Sequence, residues 1–214
     1  MQALEESIEI APSGIAADLV VPESAKGVVI FAHGSGSSRF SSRNRFVAGE
    51  LQRAGFGTLL LDLLTAREEE IDLRTRHLRF DIDLLATRLM EATNWAGTNR
   101  EIYNLPVAYF GASTGAAAAL ISAANLPENV KAVVSRGGRP DLAASALSRV
   151  RAPTLLILGG KDTPVIDLNR KALDELQCEK ELKIVPGASH LFEEPGTLEQ
   201  VSSLASAWFN DHLR

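Results

Sequence analysis

Short apolar runs alternate with longer amphipathic stretches along nearly the whole chain. The runs Gly27–Ala32, Gly57–Leu61, Val107–Phe110, Lys131–Ser135, Thr154–Leu158 and Leu182–Val185 are each followed by Gly, Pro or Ser turn chemistry, which predicts buried strands. Between them, Arg45–Ala54, Arg74–Trp95, Gly115–Ala124, Leu142–Val150, Pro164–Leu176 and Leu198–Leu213 have helical composition and spacing. Strands and helices in this alternation make βα units, and such units close a parallel sheet. Ahead of them, Ser7–Ala11 and Ala17–Val21 flank Pro12-Ser13-Gly14, a hairpin that would add an antiparallel edge. Helix starts are predicted where Asp141 and Thr197 occupy N-cap positions, where Thr197 and Gln200 match a capping box, and where Pro164 fits a first turn. The charged segment Thr65–Arg79 reads either as a solvated loop entering a long surface helix or as part of an active-site rim. No repeat or flexible linker divides residues 1–214, so one α/β domain is expected.

Charge narrows the function classes. With 22 Lys+Arg against 27 Asp+Glu the net charge is −5, which argues against a general affinity for nucleic acid or an anionic membrane. The single cysteine, Cys178, excludes an internal disulfide framework and a thiolate zinc cluster, and fits a reducing compartment. The stretch Met1–Ile10 carries Glu5, Glu6 and Glu9 without the basic start and apolar run of a secretory signal. No apolar segment approaches the roughly 20 residues a membrane span needs. A soluble cytoplasmic protein is the expectation.

Candidate chemistry begins at Gly111-Ala112-Ser113-Thr114-Gly115, a Gly-x-Ser-x-Gly pattern between an apolar strand and a small-residue helix. A nucleophilic serine held on such a turn needs a strained backbone, and the flanking glycines let neighbouring elements approach. Ser113 needs a base. His190, in Pro186-Gly187-Ala188-Ser189-His190, follows the last predicted strand and shares the carboxyl edge of the sheet with Ser113. His77 and His212 fall in predicted helices, while His33 opens a glycine loop that it is expected to fix by hydrogen bonding. Three aspartates end strands on the same edge, Asp62, Asp141 and Asp162. The order Ser113, Asp162, His190 favours Asp162 as the group orienting the base, although Asp162 and Asp141 also suit helix capping. His33-Gly34-Ser35-Gly36-Ser37-Ser38 follows the first parallel strand, so the backbone amide of Ser35 could pair with that of Thr114 as an oxyanion hole. A phosphate-binding reading of this loop lacks the lysine and spacing of a P-loop and the glycine spacing of a dinucleotide site.

Taken together, the loop His33 to Ser38, the elbow Gly111 to Gly115, Gly160-Lys161-Asp162 and Gly187-Ala188-Ser189-His190 with Leu191-Phe192 resemble the α/β-hydrolase superfamily and its dienelactone-hydrolase-like branch over nearly the whole chain. The resemblance implies an eight-stranded, mostly parallel sheet with helices on both faces and a Ser-Asp-His mechanism. Members acting on dienelactone carry cysteine where this chain has Ser113, and Cys178 lies far from the elbow. No insertion of lid size separates the strands, which favours small esters or lactones. Arg136, leaving a strand on the catalytic edge, and Arg39, after the oxyanion loop, are the candidates to read an anionic group on such a substrate. The expectation is a hydrolase without cofactor or metal. A non-catalytic ligand-binding protein on the same fold is the alternative, and its expected mark, a missing triad member, is absent from the sequence.

Overall fold

A computed structural model describes residues 4–213. Its strands are β1 (Leu4–Ile10), β2 (Ile15–Val21), β3 (Val28–Ala32), β4 (Gly57–Leu61), β5 (Val107–Ala112), β6 (Val130–Arg136), β7 (Thr154–Gly159) and β8 (Lys180–Val185). The helices are α1 (Ser42–Arg53), α2 (Ala66–Thr75), α3 (Ile82–Ala96), α4 (Thr114–Asn125), α5 (Ala144–Leu147), α6 (Thr163–Glu175) and α7 (Thr197–His212). One sheet takes the order β1-β2-β4-β3-β5-β6-β7-β8. The expected hairpin forms its antiparallel end, β1 on β2 and β2 on β4, and every pairing from β4 through β3 to β8 is parallel.

Helices cover both faces, and this explains why the inner strands read as unbroken apolar runs. On one face Val29, Phe31, Phe110 and Val134 pack with Val47 and Leu51 of α1 and Val201 and Phe209 of α7. On the other, Ile30, Tyr109 and Val133 pack with Leu85 and Leu89 of α3 and Ala117 and Leu120 of α4. β3 has β4 on one side and β5 on the other, so the chain winds outward in both directions from it. The loops after β3 and β5 therefore straddle the crevice at which such sheets bind ligands. No separate lid domain covers that edge, and among the described residues no helix is long and apolar enough to cross a membrane.

Several local expectations are corrected. The stretch Arg74–Trp95 is two helices, not one: Arg76 turns left-handed at φ 57° to end α2, and Asp81 accepts from Leu84 N–H at 3.0 Å to start α3. Nor is Thr65–Arg79 simply a loop, because Thr65 and Glu68 form a reciprocal capping box at 3.3 and 2.8 Å. Residues 142–150 make only a 3-10 turn and the single turn α5. Asp141 caps nothing there, since its carboxylate takes a bidentate pair from Arg139 at 2.8 and 2.7 Å. At α7 the N-cap is Gly196 at φ 79°, one residue before the predicted Thr197. Thr197 Oγ1 donates backward to Glu194 O at 2.7 Å, and Gln200 donates to Gly196 O, so no capping box forms. Pro164 does occupy the first turn of α6.

Candidate active site

β5 ends at Ala112 and α4 begins at Thr114, so the chain reverses at Ser113 alone, with φ 51° and ψ −119°. A side chain held there costs about 1–3 kcal/mol of backbone strain, which the packing around it must enforce. The flanking glycines show how. A Cβ on Gly111 would lie 2.4 Å from Ala116 Cα, and one on Gly115 would lie 2.4 Å from the carbonyl oxygens of Ala32 and His33. α4 is thus pressed against both β5 and the exit of β3, and Ser113 is lifted over the carboxyl edge. Its N–H donates to Arg136 O at 3.2 Å, which ties the elbow to the end of β6.

His190 follows β8, and its Nδ1 lies 2.6 Å from Asp162 Oδ2. A carboxylate at that distance holds the proton on Nδ1 and leaves the Nε2 lone pair able to accept a proton. Asp162 stands at the N-cap position of α6, yet its side chain makes no capping bond. The rival carboxylates are engaged elsewhere: Asp141 with Arg139, and Asp62 with the backbone N–H of Arg39 at 2.8 Å and with its guanidinium. His33 behaves as expected of a loop-fixing residue, with Nδ1 2.9 Å from Gly34 O and Nε2 accepting from Leu63 N–H at 3.1 Å. Burial pushes its pKa below the ordinary histidine value, against the weaker opposing influence of Gly34 O and Asp62. His77 and His212 bond locally, to Thr75 and to Trp208 O. His77 falls between α2 and α3, outside the single helix expected for it.

Ser113 and His190 line one cleft of about 240 Å³ together with Ser35, Arg43, Asn44 and Arg136. Thr114 opens α4, where a first-turn N–H has no acceptor within the helix. The N–H of Ser35, its expected partner, donates to Thr114 Oγ1 at 2.9 Å, so the Thr114 hydroxyl occupies that donor in this arrangement. Arg136 lines the cleft. It is 7% exposed, and its one side-chain hydrogen bond among the described residues, Nη2 to Asn44 Oδ1, is long at 3.4 Å. Arg39 is a correction: it pairs with Asp62 and Asp18 and stacks on Phe40, outside the cleft, because two carboxylates from β2 and the end of β4 capture its guanidinium. Cys178 bonds weakly to Thr154 at the start of β7, away from the carboxyl edge. Among the described residues no group of three His, Cys, Asp or Glu side chains could hold a metal.

Arg43, Asn44 and Glu194 are the functional candidates that sequence reasoning underweighted. Arg43 and Asn44 lie on the first turn of α1, which faces the cleft. Glu194 Oε2 accepts from both Ser189 N–H at 3.0 Å and Ser189 Oγ at 3.2 Å, bracing the residue before His190.

A serine on a strand-to-helix elbow at the carboxyl edge of this sheet, with a histidine and an aspartate in hydrogen-bonded order after the later strands, defines an α/β-hydrolase. Residues 15–211 match the dienelactone hydrolase family, and the chain belongs to it. It is similar to a dienelactone hydrolase from Anabaena variabilis, with 61% identity and a TM-score of 0.96 over 100% of this chain and 99% of that one. Est1E from Butyrivibrio proteoclasticus shares the fold at 14% identity, with a TM-score of 0.79 over 96% of this chain and 98% of its own. A Mycobacterium tuberculosis protein named "Putative phosphoribosyl transferase" is 57% identical over 98% of this chain, which spans 46% of that protein's length.

Proposed function

We propose that the protein is a serine hydrolase that cleaves small carboxylic esters or lactones through an acyl-enzyme. The observation that carries this reading is Ser113 at positive φ on the elbow, in one cleft with a His190 whose Nδ1 is bonded to Asp162. In acylation Ser113 Oγ attacks the ester carbonyl carbon while His190 Nε2 takes its proton, and the imidazolium then protonates the departing alkoxide. Asp162 fixes the tautomer and stabilises the imidazolium. Water, deprotonated by the same Nε2, attacks the acyl carbon; the bond from that carbon to Ser113 Oγ then breaks, Oγ takes the proton back from the imidazolium, and the carboxylic acid leaves.

The tetrahedral oxyanion is assigned to the amides of Thr114 and Ser35, the latter exchanging its Thr114 Oγ1 acceptor for the charged oxygen. The family membership and the dienelactone hydrolase of Anabaena variabilis support hydrolysis. We further infer a cytoplasmic setting from the lone, half-buried thiol of Cys178. A fluorophosphonate probe and a panel of p-nitrophenyl esters test the reaction. Labelling and turnover by the wild type, both abolished in Ser113→Ala, are expected; a folded wild type that neither labels nor turns over any ester would instead support a ligand-binding role for the cleft.

A further inference from the structure

Arg136 is a guanidinium buried beside Ser113, and among the described residues it makes no ion pair. In the sheet it pairs with Ala112, one residue before Ser113, and its side chain lines the same cleft. Its Nε and Nη1 have no hydrogen-bond partner, and the Nε of Arg43 is likewise buried and unpaired. Burial first and the positive charge of Arg43 second push the pKa of Arg136 down to about 10, so the side chain stays charged at neutral pH at an electrostatic cost. Its other neighbours are the Asn44 amide oxygen and the ring of Phe192, whose centroid is 5.8 Å from Cζ. Among the described residues Arg43 pairs with Glu193, 3.1 Å from Nη1, whose largely exposed carboxylate is screened by water.

A third source of positive potential points the same way. α1 begins at Ser42, with Ser41 as N-cap accepting from Asn44 N–H at 3.3 Å, and its first turn lies in the wall of the cleft. Free N–H groups and the helix dipole make such an end favourable for an anion.

We propose that this side of the cleft is a subsite for a phosphate monoester group, formed by Arg136, Arg43 and the first turn of α1, and that the ester hydrolysed at Ser113 carries that phosphate. The inference rests on the reading of Ser113 as nucleophile, but the subsite can be tested without it. Phosphate is favoured over carboxylate by charge and by donor count. Arg136 is buried with Nε and Nη1 unpaired and Arg43 adds an unpaired Nε; a carboxylate offers two acceptor oxygens and one negative charge, where a phosphate monoester brings three and about 1.5–2 charges.

Three acetate esters separate the outcomes: 2-acetoxyethyl phosphate, 3-acetoxypropanoate and the neutral 2-methoxyethyl acetate. The wild type should prefer the phosphate ester to the neutral one in kcat/KM. In Arg136→Gln and Arg43→Gln that preference should fall by on the order of ten- to a hundredfold each, the range for hydrogen bonds to a charged group. Arg43 is partly exposed, so its variant reads the subsite even where Arg136→Gln fails to fold. Equal preference for the carboxylate and phosphate esters would overturn the assignment to phosphate.

Binding of methyl phosphate to Ser113→Ala, followed by calorimetry, is the second readout. Saturable binding that is lost in Ser113→Ala/Arg43→Gln supports the subsite whether or not the wild type hydrolyses esters. Wild-type turnover of neutral esters with no binding of methyl phosphate and no preference for the phosphate ester would refute the subsite and leave the hydrolase standing.

Discussion

Asp162 stands where helix capping and proton chemistry compete for one carboxylate. Its backbone occupies the N-cap position of α6, while its Oδ2 lies 2.6 Å from His190 Nδ1. Pro164 in the first turn removes one N–H that would otherwise need an acceptor, so the helix tolerates the loss of a side-chain cap. Asp162→Asn should accordingly lower kcat by orders of magnitude, about 10⁴ in the best-studied triad, with little change in thermal midpoint. Asp141→Asn should cost far less activity, since that carboxylate serves Arg139, and the reverse ranking in parallel assays would remove Asp162 from its proposed role. His33 carries a different consequence. Neutral His33 bonds on both ring nitrogens, and its folded pKa is depressed below the ordinary 6.5. The unfolded chain therefore binds a proton at a higher pH than the folded one, so this contribution to stability is complete above pH 6.5 and is lost as pH falls through the window below it. Urea midpoints should drop from pH 7 to pH 5 in the wild type. In His33→Gln they should start about 1–3 kcal/mol lower in stability at pH 7 and fall less steeply, and parallel curves would show that His33 does not drive the change.

At the scale of elements, the loops after β7 and β8 are joined through Glu194. Oε2 receives both donors of Ser189, next to His190, and Oε1 lies 3.5 Å from the ammonium of Lys161, next to Asp162. The backbone bonds hold this carboxyl below the usual range, so it remains an acceptor at neutral pH. Glu194→Ala should reduce kcat by about ten- to a hundredfold with KM nearly unchanged, and Glu194→Gln, which keeps an acceptor for Ser189, should recover part of the loss. Equal loss in both variants, or a change confined to KM, would make Glu194 a structural residue only. Such a link was not legible in the sequence, because Glu194 resembles any surface glutamate until the two loops meet. Ser113, Asp162 and His190 could be proposed from the sequence because each lies in the segment that follows a strand of the parallel part of the sheet, and parallel strand ends share one edge. Arg39 was misplaced by the same reasoning, since proximity to a strand end does not show which carboxylates will capture an arginine. The Thr65 capping box lay within a charge run whose composition hid it, and the break at Arg76 depended on Asp72, whose carboxylate binds Arg79 Nε at 2.5 Å across the turn.

For the whole molecule, alternation of strands and helices is enough to imply a parallel sheet, but not the order β1-β2-β4-β3-β5-β6-β7-β8, which depends on where each crossover lands. That order leaves β1 and β8 as the two open edges. An open edge offers unpaired backbone groups to another chain, and charged side chains are one way of discouraging that contact. Glu5, Glu6 and Glu9 stand on β1, and Lys180, Glu181 and Lys183 on β8, in contrast to the uncharged β3, β4, β5 and β7 between them. On β8 the ammonium of Lys183 lies 2.5 Å from Glu181 Oε1, and Ile184 beside it is 42% exposed. An exposed pair of this kind contributes little to folding, at most about 1 kcal/mol, so its importance here lies in what it prevents. Glu181→Val/Lys183→Val should leave the thermal midpoint within a few degrees of the wild type while promoting concentration-dependent self-association. Sedimentation velocity of both proteins at matched concentrations checks this; an unchanged distribution in the double variant would mean that β8 is protected by its twist and length rather than by its charges.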